Sequence, residues 1–156
     1  MSLLLSKITV PIILCLLLLY FPYIDYYGID LSPDFTLIII ILIALKTGRK
    51  QATLAGFFIG LLQDLLTQYL TLGFLSLLGT FFGYSVGSIQ SIKKIDMKYI
   101  LIFILIFIYL FFIFVIQYSE GYFFYFKFSI IKSVITILSL FLLRNIFINF
   151  FKSIEK

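Results

Sequence analysis

The sequence predicts an all-α integral membrane protein with about six transmembrane helices. Of its 156 residues, 63% are hydrophobic and only 12% are charged, whereas a soluble domain carries about 25% charged residues. The mean hydropathy is +1.19. Apolar runs recur along the chain, and the basic residues collect between alternate runs. The length is that of a single transmembrane helical domain, residues 1–156.

The residue inventory argues against catalysis and metal binding. The chain has no histidine, which is the commonest metal ligand and a frequent general base. Its single cysteine, Cys15, lies in an apolar run, so no intrachain disulfide can form. We therefore expect no enzyme activity, no cofactor, no bound metal and no nucleic-acid partner.

Six apolar runs are the candidate spans: Leu3–Ile24, Phe35–Leu45, Ala52–Leu66, Leu70–Val86, Tyr99–Ile116 and Phe128–Leu143. The first resembles a signal peptide but lacks a small-residue cleavage pattern, so we expect it to be retained as a span. The second run is shorter than the about 20 residues that a helix needs to cross a bilayer. A five-span chain, or a half-inserted second segment, therefore stays open as an alternative.

The basic residues predict the orientation. All of them except Lys127 and Lys132 fall near the two termini or in the loops after the second and fourth runs. The positive-inside rule places these segments in the cytoplasm. Both termini are then cytoplasmic in a multi-pass protein, the number of spans is even, and six is the best count.

The start of the second span carries helix-start signals. Ser32 is a residue type that caps helices, and Pro33 suits the first helical position. Asp34 complements the positive end of the helix dipole. The sequence therefore predicts that this helix begins at Ser32, Pro33 and Asp34.

Small residues recur every four positions in the third and fourth runs: Ala52, Gly56 and Gly60, then Gly79, Gly83 and Gly87. Residues four apart lie on one face of a helix. In lipid, small residues at this spacing allow two helix backbones to approach closely. The pattern predicts a tight hairpin of the two helices.

Asp64 continues the first of these rows, so we expect its carboxylate to point into the bundle. Three interpretations are open: a structural polar clamp, a residue that recognises a partner or substrate near the outer surface, and a proton-coupling carboxylate. The clamp is the default. Lys132 has a compatible depth as its partner, and hydroxyl or amide donors such as Thr67 and Gln68 are alternatives.

The order of these features resembles one protein family. The segments are Pro33–Asp34, the LKTGRK turn, GFFIGLLQDLL from Gly56 to Leu66, and LTLGFLSLLGTFFGY from Leu70 to Tyr84. Together they resemble MreD, the rod-shape-determining membrane protein of bacterial cell elongation. The resemblance is sharpest over residues 33–87, and residues 98–156 match in hydropathy only.

The resemblance implies a non-enzymatic role in the bacterial cytoplasmic (inner) membrane. The expected partners are the lipid bilayer and an MreC-like protein, and through it MreB and the peptidoglycan synthases. It also implies a six-helix fold similar to the substrate-capture subunits of energy-coupling-factor transporters. The main alternative function is such a vitamin-capture subunit, which needs several polar groups converging on a pocket. An intramembrane enzyme is the third class, but the chain has no recognisable pairing of nucleophile and base.

Overall fold

Five helices and one short strand pair make up the part of the chain that the structure describes. The structure is a computed structural model, and it describes residues 25–26, 29–67, 73–117 and 122–154. The elements are β1 (Asp25–Tyr26), β2 (Ile29–Asp30), α1 (Phe35–Thr47), α2 (Arg49–Thr67), α3 (Phe74–Ile89), α4 (Ile95–Gln117) and α5 (Tyr122–Ile154). β1 and β2 pair antiparallel. The predicted first span lies outside the described residues.

The helices α2 and α3 pack backbone against backbone. A Cβ atom built on Gly56 would lie 2.0 Å from the carbonyl oxygen of Gly79. A Cβ atom on Gly83 would lie 2.2 Å from the carbonyl oxygen of Ala52. Both distances are far below van der Waals contact, so no side chain larger than hydrogen fits at either glycine without moving a helix.

The same contact continues to both ends of the hairpin. A Cβ atom on Gly60 would lie 2.4 Å from the carbonyl oxygen of Leu75, and one on Gly87 would lie 2.5 Å from the Cα atom of Arg49. The facing residues thus keep one antiparallel register along the two helices. The two rows of small residues in the sequence are the surfaces through which α2 and α3 meet.

The shortest helix, α1, lies at the centre of the bundle. Its residues 36–41 and Ala44 are all buried. Most of them form one apolar core with side chains of the other four helices, among them Ala52 of α2, Phe82 of α3, Ile106 of α4 and Leu140 of α5. Because neighbouring helices enclose α1, its length need not match the thickness of a bilayer by itself.

The start of α1 differs from the prediction in its capping residue. Asp34 is the N-cap, and its carboxylate accepts the backbone N–H groups of Thr36 and Leu37. Ser32 lies two residues before the cap, and its own N–H and hydroxyl both donate to the carboxylate of Asp30. Pro33 consequently precedes the cap and is not the first helical residue.

Within the described ranges, two helices are long and apolar enough to cross a membrane. They are α4 and the Phe123–Leu143 part of α5. Large apolar side chains one turn apart on α4, Ile104, Ile108 and Phe112, are exposed on its outer face. An apolar surface of this kind is typical of a helix that contacts lipid. The structure is therefore helical, with two helices suited to a membrane.

Replacing Gly56 by alanine tests the backbone contact. In an isolated helix this change is favourable by about 1 kcal/mol. Here the new methyl group collides with the Gly79 carbonyl, so we expect a net loss of stability of about 2 kcal/mol. Thermal melting of the purified protein in detergent measures the effect. The control is Phe58→Leu on the outer face of α2, where the side chain is 64% exposed. Equal melting temperatures for the two variants would contradict the close contact.

Candidate functional site

Asp64 caps the start of α3. Its Oδ2 atom accepts the backbone N–H groups of Gly73 at 3.1 Å and Ser76 at 3.0 Å, and Oδ1 accepts that of Leu75 at 3.1 Å. The side chain is only 4% exposed. The first N–H groups of a helix have no partner within it, and its dipole attracts negative charge to this end. The carboxylate therefore clamps the end of α2 to the start of α3.

Gly73 forms the last turn before α3. Its φ angle is +99°, a left-handed conformation that glycine adopts far more readily than other residues. Its N–H group is one of the three that Asp64 accepts. The glycine in LTLGF thus has a conformational role next to the carboxylate, which distinguishes it from the glycines of the helix contact.

Asp34 performs the corresponding task for α1. Its Oδ1 atom accepts the backbone N–H groups of Thr36 at 3.1 Å and Leu37 at 3.3 Å. Its own backbone N–H donates to the Thr136 hydroxyl oxygen at 3.2 Å. The residue therefore starts α1 and also ties that start to α5.

A side-chain contact links the start of α1 to the last turns of α2. The Thr36 hydroxyl lies next to Asp34 and 3.3 Å from Oε1 of Gln63, the residue before Asp64. Tyr109 of α4 is buried, with its ring 5.4 Å from that of Phe82. The starts of α1 and α3 and the end of α2 thus meet in one polar cluster.

Lys132 does not pair with Asp64, which corrects the prediction. Its Nζ atom lies 3.1 Å from Oδ2 of Asp30 and 3.1 Å from the carbonyl oxygen of the same residue. It also faces the ring of Phe114 at 5.8 Å. Asp64 has no need of this cation, because backbone N–H groups already surround it. The side chains of Thr67 and Gln68, the other predicted donors, lie outside the described part of the chain.

The sequence interpretation missed the polar seam of α5. Ser129, Ser133 and Thr136 are completely buried, and each hydroxyl donates to a backbone carbonyl of its own helix. Their spacing of four and three residues places them on one helix face, so the signal was present in the sequence.

Asp30 was also missed as a partner of Lys132. We call the cluster Asp30, Asp34, Thr36, Gln63, Asp64, Lys132 and Thr136 the acidic end.

The acidic end is built for holding helices in place. Asp34 and Asp64 each accept backbone N–H groups, and Asp30 binds Lys132 and Ser32. No group of three His, Cys, Asp or Glu residues suited to a metal ion occurs in the described ranges. The carboxylates of Asp34 and Asp64 therefore serve to accept the unpaired N–H groups at the starts of α1 and α3.

No protein-family model, curated protein or solved structure matches the chain. The resemblance of residues 33–87 to MreD thus rests on those residues alone and stays a prediction.

Asp64→Asn tests the cap on α3. An asparagine keeps one acceptor oxygen but turns its NH₂ group towards N–H donors, and it removes the charge at the helix start. We expect a loss of about 1–3 kcal/mol in the free energy of unfolding. The matched control is Asp96→Asn in the first turn of α4, where the side chain is exposed. That change should stay within about 0.5 kcal/mol, and a similar loss in both variants would refute the cap.

Double-mutant cycles test the partner of Lys132. Asp30→Asn and Lys132→Gln should be coupled by about 1 kcal/mol, because each removes the other's partner. Asp64→Asn and Lys132→Gln share no partner, so their effects on unfolding should add within about 0.5 kcal/mol. If Asp64 and Lys132 were coupled and Asp30 and Lys132 were not, Lys132 would pair with Asp64, as the sequence predicted.

Proposed function

We propose that the chain is a multi-pass membrane protein with about six spans and both termini in the cytoplasm. The distribution of charge over the bundle supports this orientation. The basic end, opposite the acidic end, consists of Lys46, Arg49, Lys50, Lys93, Lys94 and Lys98. The positive-inside rule assigns this end to the cytoplasm. The run Leu3–Ile24 supplies the remaining span in this arrangement.

In this membrane the chain acts as an MreD-type component of the bacterial cell-elongation complex and catalyses no reaction. It binds an MreC-like protein, which links it to MreB and the peptidoglycan synthases. One observation carries the proposal: the residues behind the resemblance form one folded unit. Asp34 and Asp64 start two helices, and the glycine rows join α2 to α3. These motif residues hold the helices together. Such a use is typical of a scaffold protein, whose partners bind to its outer surface.

A vitamin-capture subunit is the alternative, and the state of the two capping carboxylates disfavours it. Such a subunit needs polar groups that are available to a ligand near the outer face. Asp34 and Asp64 are the obvious candidates, but each already accepts two or more backbone N–H groups. Withdrawing either carboxylate would leave a helix start unsatisfied, at about 1–3 kcal/mol for each buried group.

Depletion of the protein in the bacterium that encodes it tests the proposed role. We expect rod-shaped cells to become round, and an affinity-tagged full-length chain to restore the rods and to co-purify an MreC-like protein. The tagged Asp96→Asn variant should behave as wild type, which controls for the tag and for a neutral change.

Vitamin uptake measured in the same depleted cells separates the two functions. The scaffold proposal expects uptake to be unchanged while cell shape is lost. Normal rods with lost uptake of one vitamin would overturn it in favour of the capture subunit.

A further inference from the structure

The basic end contains an open polar recess that the proposed scaffold role does not use. It has a volume of about 630 Å³ and is lined by Arg49, Gly87, Ser88, Gln90 and Ser91. It lies where α2 begins and α3 ends. Ligand pockets in proteins have volumes of about 300–1,000 Å³, so the recess is large enough for a small anionic group.

Arg49 lies at the edge of this recess. Its Cα atom packs against Gly87, and its guanidinium lies over the ring of Tyr84 at 5.2 Å from the centroid. Within the described ranges no carboxylate forms an ion pair with it. A guanidinium offers paired N–H donors in a planar fork that matches the oxygens of a phosphate. An exposed arginine that no carboxylate neutralises is therefore suited to bind phosphate.

The wall of the recess is cross-linked by hydrogen bonds. The Gln90 side chain donates to the carbonyl of Leu45 at 3.1 Å, and the Lys98 ammonium donates to the carbonyl of Gln90 at 3.2 Å. These bonds join the end of α1, the end of α3 and the start of α4. The elements around the recess are thus joined without a ligand, which lowers the entropic cost of binding.

An apolar track leads away from the recess along α3. Tyr84, Phe81 and Leu77 follow one another at helical spacing and are 49%, 65% and 53% exposed. The track runs from the basic end towards the middle of the bundle. A ligand with a phosphate in the recess and a hydrocarbon chain along α3 would contact both surfaces. This combination distinguishes a lipid from free phosphate.

We propose that the recess binds the head-group phosphate of an anionic phospholipid. Arg49 contacts the phosphate, the lysines of the basic end add positive potential, and one acyl chain follows Tyr84 and Phe81. The inference depends on the proposed membrane orientation, in which the basic end faces the anionic cytoplasmic leaflet. It is independent of the role in cell elongation.

Lipid binding to the purified full-length chain tests the proposal. Phosphatidylglycerol, phosphatidylcholine and inorganic phosphate are each titrated into the protein in detergent, with native mass spectrometry and thermal melting as readouts. We expect phosphatidylglycerol to be retained and to raise the melting temperature. Phosphatidylcholine and inorganic phosphate should do neither at the same concentration.

Variants locate the binding. Removing one basic charge near a membrane surface weakens attraction to anionic lipid about fivefold, so Arg49→Gln should weaken phosphatidylglycerol binding by at least that factor. Arg49→Lys should fall between Arg49→Gln and wild type, because it keeps the charge but loses the fork. The matched control is Lys127→Gln, an exposed cation at the other end of the bundle, which should bind as wild type does.

A third variant keeps the test decisive if Arg49→Gln fails to fold. Lys93→Gln combined with Lys94→Gln alters only exposed side chains beyond the end of α3, and it should also weaken phosphatidylglycerol binding. Equal binding by the basic-end variants and Lys127→Gln would overturn the site. Equal stabilisation by phosphatidylcholine or by inorganic phosphate would overturn the assignment to an anionic lipid.

Discussion

The backbone contact between α2 and α3 is the constraint from which the rest of the fold follows. In an apolar solvent, hydrophobicity does not press helices together, so close packing and hydrogen bonds must do so. The four-residue repeat that brings Gly56 against Gly79 also places Asp64 one turn beyond Gly60 on the same face. The carboxylate therefore lies next to the free N–H groups at the start of α3. The glycine row and the cap form one continuous interface.

This hairpin explains how a helix as short as α1 can hold a central position. Asp34 fixes its start to Thr136 of α5, and the Gln90 side chain contacts its last turn at the carbonyl of Leu45. Between these points its side chains are enclosed by the hairpin and by α4 and α5. Its short length made this segment the weakest candidate span, because the sequence does not show that other helices enclose it. Its stability comes from its neighbours.

Periodicity predicted which helix faces are buried, but it could not predict which hydrogen-bond donors bind the carboxylate of Asp64. The rows Ala52–Gly60 and Gly79–Gly87 and the inward direction of Asp64 could be derived from spacing alone. The partner of Asp64 could not, because backbone N–H groups are the same in every sequence and only the fold shows where three of them are free. Lys132 was predicted as the partner because its depth is compatible with that of Asp64, and the alternatives were side-chain donors, so backbone donors were not considered. Ser32 is not the cap, because α1 begins two residues later than predicted and the carboxylate of Asp34 accepts its first N–H groups.

Helix dipoles account for the two capping carboxylates at one end of the bundle but not for Arg49 and Lys50 at the other. Asp34 and Asp64 lie at the positive ends of α1 and α3, so these acids are stabilised without a lysine. Arg49 and Lys50 also lie in a first turn, that of α2, which contains no acidic residue. A cation there opposes the dipole, at about 0.3–1 kcal/mol for each charge. Helix stability therefore does not explain their position. The proposed orientation explains it, because the anionic cytoplasmic leaflet attracts these cations and this attraction offsets their repulsion by the helix dipole.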